Sequence, residues 1–173
     1  MGLVETIEAA EFIGQEFATW LYWLSETHQG KIAPDGVGEF ELFFESPVQL
    51  VHDYGDATVV ALRGGTPLES PEARQSLREN KKIARAHLRV NRNNQTFTFT
   101  FNASNFSLAG LTLPIPPNVS PADYLYIRLE MIEEFEAFWE SVFRAFLKIR
   151  LDAKLWEGER RKLAAWIKSF ELA

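Results

Sequence analysis

Residues 81–102, KKIARAHLRVNRNNQTFTFTFN, contain the clearest secondary-structure signal in the chain. Apolar and polar residues alternate on both sides of the polar segment 91–94, as in strands whose side chains point in turn to the two faces of a sheet. The pattern predicts a β-hairpin with strands at 82–90 and 96–101. If the phenylalanines face the core, the outer face presents Arg85, His87 and Arg89 beside a row of threonines.

The sequence before the hairpin predicts one helix and three strands. Apolar residues recur at helical spacing over about 8–26, which predicts an N-terminal helix. Alternating apolar and acidic residues at 39–45 predict a strand, and further apolar segments near 48–52 and 58–63 predict two more. The simplest arrangement of these three strands is a meander.

Two Ser-Pro pairs predict where later helices begin, because serine caps free N–H groups and proline is pre-organised for the first helical turn. The pair at 70–71 predicts a short helix at 71–80, and the pair at 120–121 predicts the longest helix of the chain. Prolines confine the apolar segment 111–115 to an edge strand or a coil. We predict that Gly158 ends the long helix before a last one.

Composition favours a cytoplasmic protein of one domain. A chain of 173 residues with 46% hydrophobic and 24% charged content is long enough to bury a sizeable core within a single domain, 1–173. It has no cysteine, no signal peptide and no apolar stretch of the roughly 18 residues that a membrane span requires. The expected fold is α+β, a mainly antiparallel sheet (meander plus hairpin) packed by an N-terminal helix and long C-terminal helices.

Charge is strongly segregated along the sequence, although the net charge is -6. Residues 63–92 contain eight basic and three acidic residues, as do residues 144–168, so each segment has a net charge of +5. The remainder contains two basic and eighteen acidic residues. Such segregation is typical of a protein with a charged partner.

The residue types that catalysis and metal binding need do not assemble into a motif. The three histidines, at 28, 52 and 87, lack the spacing of a helical metal pair, and no phosphate loop or nucleophile motif is present. Neighbouring acids such as Glu133 and Glu134 fit the solvated side of an amphipathic helix. We therefore predict no enzyme, no cofactor and no metal site, with an acid-dependent hydrolase or nuclease as a lesser alternative.

The basic residues of the hairpin form the best candidate site. Arginine has forked donors that suit phosphate oxygens, and no carboxylate occurs between residues 81 and 102 to compensate them locally. A sheet face that is basic only for solubility is the competing interpretation. The predicted DNA-binding residues are Arg78, Lys81, Lys82, Arg85, His87, Arg89 and Arg92.

The long C-terminal helix has an apolar seam that predicts an interface. The apolar residues of the seam are spaced alternately three and four apart. The seam is also wider than packing against one sheet face requires. We predict a homodimer, or a protein partner, on this seam, while packing against the chain's own sheet is the competing explanation. The predicted interface residues are Phe135, Trp139, Val142, Phe146 and Ile149.

Four segments resemble a known family. EFIGQEFATWLYWLSE at 11–26 is followed by the basic strand 81–90, the Thr/Phe strand 96–101 and LAGLTLP at 108–114. Together they resemble the C-terminal half of bacterial RdgC-like recombination-associated proteins, over about residues 10–150.

The resemblance implies a non-catalytic, DNA-associated role, since RdgC proteins bind double-stranded DNA with little sequence preference, form ring-like dimers and restrain the recombinase RecA. The leading hypothesis is therefore a DNA-binding accessory protein in recombination or replication. The main alternative is a protein-protein interaction module that uses the long C-terminal helix.

Overall fold

The computed structural model describes residues 3–51, 60–62 and 70–170, and the side chains of residues 13–51 and 70–170. Within these ranges the chain forms four helices and six strands. In chain order they are α1 (Leu3–Thr27), β1 (Lys31–Ile32), β2 (Phe40–Val51), β3 (Val60–Leu62), α2 (Pro71–Arg78), β4 (Lys82–Arg92), β5 (Gln95–Asn102), β6 (Ser107–Thr112), α3 (Pro121–Leu151) and α4 (Ala153–Ser169).

The predicted hairpin is confirmed as β4 and β5, which pair antiparallel from Arg85↔Asn102 to Arg92↔Gln95. The turn between them places Asn93 and Asn94 at positive φ, 51° and 59°. Asparagine tolerates this left-handed conformation better than most residues, which is why consecutive asparagines suit a tight hairpin turn.

The sheet is antiparallel throughout, with strand order β1-β2-β4-β5-β6 and with β3 pairing to β2. The predicted meander is wrong, because one strand of twelve residues, β2 (Phe40–Val51), runs through both segments predicted as separate strands at 39–45 and 48–52. Residue 52 lies outside the described residues. The ladder with β4 is irregular between Glu45 and Val48, so Pro47 lies where its missing N–H interrupts no regular pairing. The third strand is predicted near 58–63, and within that segment the structure describes only β3.

The helices α1 and α3 pack on one face of the sheet and form an aromatic core with it. The ring of Phe17 on α1 lies 5.8 Å from Phe101 on β5, 5.7 Å from Trp139 and 5.4 Å from Phe146 on α3. These four side chains are buried, and each contributes about 1.5–3 kcal/mol of burial free energy. The predicted α+β fold is confirmed.

The seam predicted as an interface lies in this core instead. Phe135 stacks on Phe97 at 4.8 Å, and Trp139 meets Phe99 edge-on at 5.0 Å. Val142 and Phe146 are fully buried, whereas Ile149 is half-buried against the same cluster. The sheet and α1 already cover the four buried residues of the seam. A second chain therefore cannot contact these four without opening the core.

The two Ser-Pro helix starts are confirmed, but the predicted end of the long helix is wrong. The side chains of Ser70 and Ser120 accept hydrogen bonds from the backbone N–H groups of Ala73 and Asp123, each three residues further along the chain. The break after α3 occurs at Asp152, whose carboxylate accepts from the first N–H groups of α4, and Gly158 lies within α4. A good N-cap therefore determines the boundary, and a helical glycine is merely tolerated.

Both ends of β6 differ from the predicted strand at 111–115. It begins earlier, at Ser107, and ends at Thr112, before the prolines, where it forms one edge of the sheet. No helix within the described ranges has the length and apolar character to cross a membrane.

Candidate nucleic-acid interface

The candidate site lies on the side of the sheet opposite the helices, which we call the open face. Side chains of β4 alternate between the two sides: Ala86, Leu88 and Val90 are buried in the core, while Arg85 and the residues between them point outward. The open face consists of Glu41, Phe43, Glu45 and Gln49 on β2, Arg85, His87, Arg89 and Asn91 on β4, and Thr98, Thr100 and Asn102 on β5.

The neighbour of β4 on one side, β5, contributes neutral hydrogen-bonding groups. Arg85 is paired with Asn102, His87 with Thr100 and Arg89 with Thr98. The Nδ1 atom of His87 lies 3.3 Å from the Thr100 hydroxyl. Hydroxyls and amides add donors for phosphate oxygens without adding charge.

The neighbour on the other side, β2, contributes carboxylates, which the alternation within the hairpin does not reveal. The Nε of Arg89 donates to the Glu45 carboxylate at 2.7 Å, and the Asn91 amide donates to Glu41 at 2.8 Å. The Arg89 guanidinium also lies 4.5 Å from the centre of the Phe43 ring. The expectation of a locally uncompensated patch is therefore wrong for Arg89, because a strand 44 residues away along the chain supplies its counter-charge.

Arg85 is in a different environment from Arg89. Its cross-strand neighbours are the neutral Gln49 and Asn102, its side chain is exposed, and it forms no ion pair with any residue that the structure describes. Lys82, paired with Val51 at the end of the same ladder, is half-buried on the same side. Among the described residues, Arg85 therefore has no carboxylate beside it in the ladder, whereas Arg89 is paired with Glu45.

Three of the seven predicted DNA-binding residues lie elsewhere. Lys81 is buried, with its ammonium 3.2 Å from Glu79. Arg92 points to the helix side, where its guanidinium lies 4.6 Å from the centre of the Phe138 ring. Arg78 is exposed in the last turn of α2, which packs against α4 and β3. The structure brings together only Lys82, Arg85, His87 and Arg89.

Four of the eight basic residues in the second basic segment predicted from the sequence form ion pairs. Arg144 pairs with Glu140 and Arg161 with Glu157 one turn away, and Lys162 pairs with Glu159. Arg150 reaches across to Glu16 on α1 at 2.6 Å. Exposed pairs such as Arg144 with Glu140 contribute at most about 1 kcal/mol each, and each ion pair cancels one positive charge of the segment.

The described residues contain no group of three histidine, aspartate or glutamate side chains that could hold a metal ion. His52, one of the three histidines considered from the sequence, lies outside them. No family model matches the chain, and no curated protein matches it significantly.

Proposed function

We propose that this chain is a non-catalytic DNA-associated accessory protein, RdgC-like, that binds the phosphate backbone through the open face in recombination or replication. The observation that supports the proposal best is Arg85, an exposed arginine whose cross-strand neighbours, Gln49 and Asn102, are neutral. An unpaired guanidinium can form a charge-assisted, forked hydrogen bond with a phosphate without first breaking an ion pair.

The charges around Arg85 suggest how a DNA backbone would lie. Glu41 and Glu45 on β2 repel phosphates, whereas Thr98, Thr100 and Asn102 on β5 offer neutral groups. A strand of phosphates would therefore run over β4 and β5 and avoid β2. Contacts of this kind position a nucleic acid without reading its bases, so we expect little sequence preference.

A charge reversal at Arg85 tests this surface. The expected result for Arg85→Glu is a loss of affinity of roughly tenfold or more for a labelled duplex at about 50 mM salt, alike for unrelated sequences, because one charge-assisted contact is replaced by repulsion. The measurement is fluorescence anisotropy, with duplex and single-stranded DNA.

The matched control is Arg160→Glu, which makes the same charge change at an exposed position of α4, on the helix side of the sheet. Equal affinities of the two variants, with unchanged far-UV circular dichroism, would reject the open face as the DNA-binding surface.

The non-catalytic part of the proposal has its own test. Purified protein should leave linear duplex and single-stranded DNA intact with magnesium or manganese. Degradation that disappears when one of the chain's own acidic residues is replaced would establish the nuclease alternative.

A protein-interaction role is the second candidate, and a specific observation favours it. Four large apolar side chains at the start of α3 are exposed to solvent. Exposed apolar groups concentrated on one segment are typical of docking surfaces. The four are Tyr124, Leu125, Tyr126 and Leu129.

A further inference from the structure

Arg89 and Phe43 form a stacked pair on the open face, apart from Arg85. The Arg89 guanidinium lies 4.5 Å from the centre of the Phe43 ring, and its Nε donates to the Glu45 carboxylate at 2.7 Å. The ring and the carboxylate together hold the guanidinium in one orientation. The Arg89 side chain nevertheless remains 38% exposed, so part of it is open to solvent.

The backbone supports the Phe43 ring from another side. Phe43 packs against the turn before β1, where a Cβ added to Gly30 would lie 2.6 Å from the ring. Only a residue without a side chain leaves room for the ring there, and Gly30 also has a φ of 83°, which favours glycine. The pair is therefore built into the sheet and does not depend on two loose surface side chains meeting.

A guanidinium held on an aromatic ring is a surface on which nucleobases stack. Unpaired bases stack on aromatic rings and on the planes of arginine side chains, and every base has a π-face for this contact. The ion pair with Glu45 offsets the charge of Arg89, so this arginine suits a neutral base better than a phosphate. Arg85 differs, because its cross-strand neighbours are neutral.

The charges of the neighbouring strands sort the two parts of a nucleotide. On β2, the carboxylates of Glu41 and Glu45 flank Phe43 and repel phosphates, but they do not repel neutral bases. On the other side of β4, β5 contributes neutral hydroxyls and an amide. Bases therefore fit the β2 side of the open face, and phosphates fit Arg85 and the β5 side.

We propose that Arg89 and Phe43 form a stacking site for an unpaired base of a single-stranded nucleic acid. Arg85 and Arg89 lie on the same strand, about 13 Å apart along it, so one nucleic-acid strand can place a phosphate at the first and a base at the second. A duplex cannot use the stacking site, because its bases are enclosed in the helix. The inference rests on the proposed phosphate contact at Arg85 and adds the form of nucleic acid that the surface selects.

Two single-stranded oligonucleotides that differ only in their bases separate stacking from phosphate binding. One is an oligothymidylate of about 12 nucleotides, a length within the range of single-strand binding sites. The other has the same backbone with an abasic sugar at every position. We expect the natural chain to bind the oligothymidylate roughly tenfold more tightly than the abasic strand in fluorescence anisotropy, the effect of one stacked base.

Arg89→Lys and Phe43→Leu remove the stacking site without changing the net charge. Lysine can still pair with Glu45 but lacks the flat guanidinium, and leucine keeps apolar bulk but lacks the ring. Each variant should lose the tenfold preference for the oligothymidylate over the abasic strand and keep its affinity for a duplex. The matched control, Arg85→Lys, makes the same replacement on the same strand and should retain the preference, because no base stacks there.

Equal binding of the two strands by the natural chain, with an affinity that falls as salt rises, would overturn the stacking site and leave the phosphate contact at Arg85 standing. Binding of neither strand at about 50 mM salt would overturn both. A preference that survives in folded Arg89→Lys protein, with unchanged far-UV circular dichroism, would place the stacked base elsewhere and also overturn the proposal. Arg89 is partly exposed, so this variant decides the matter even if Phe43→Leu does not fold.

Discussion

The two faces of the sheet use alternate residues of the same strands for different purposes. On the helix side, Phe97, Phe99 and Phe101 of β5 are buried among aromatic rings of α1 and α3. On the open face, Thr98 and Thr100 lie between them in sequence and remain partly exposed beside the basic residues of β4. Substitutions one residue apart in the same strand should therefore change stability and binding separately.

Phe99→Ala should have the largest effect on stability. Phe99 is fully buried and contacts Phe135 and Trp139, so truncation should lower the free energy of unfolding by about 3–5 kcal/mol. The adjacent Thr98→Ala, on the open face, should change it by less than about 1 kcal/mol. Urea unfolding measures both, and equal losses would contradict the assignment of the two faces.

Two glycines, one in α1 and one in α4, differ in a similar way in how closely other atoms surround them. A Cβ on Gly14 of α1 would lie 1.8 Å from the Ala103 carbonyl oxygen, whereas one on Gly158 of α4 would meet no atom within 4 Å. We expect Gly14→Ala to lower the free energy of unfolding by roughly 2–3 kcal/mol and Gly158→Ala to raise it by up to about 1 kcal/mol. Thermal melting of the pair checks this, and a Gly14→Ala protein as stable as the natural chain would refute the close approach of α1.

A smaller effect is expected on the open face when one carboxylate is removed. Glu45→Gln deletes the partner of Arg89 and one source of phosphate repulsion, so DNA affinity should rise roughly two- to threefold at low salt. Glu157→Gln removes an acid paired with Arg161 on α4 and is the control. Anisotropy that shows the same change for both variants would count against a local role of Glu45.

Features fixed by neighbouring residues could be predicted from the sequence, and features fixed by distant pairing could not. The hairpin follows from alternation over 82–101, and the starts of α2 and α3 follow from Ser-Pro pairs, because each signal lies within a few residues. The continuity of β2 past Pro47 depends on its pairing with β4, far along the chain.

The composition of the candidate site depends on the same distant pairing. Arg85 and His87 were placed correctly on the outer face by alternation alone. The partner of Arg89, Glu45, could be identified only once β2 was known to lie beside β4. The two faces of α3 were likewise ambiguous, since periodicity finds an apolar stripe but does not say whether the chain's own sheet covers it.

The central claim is that phosphates bind at Arg85 on the open face. The most direct test of this claim is how DNA affinity depends on salt. Affinity should fall steeply as salt rises, and in a plot of log affinity against log salt concentration the slope for Arg85→Gln should be shallower by about 0.9, the contribution of one lost phosphate contact. The same slope for the natural chain and Arg85→Gln, or an affinity that does not respond to salt, would contradict the account.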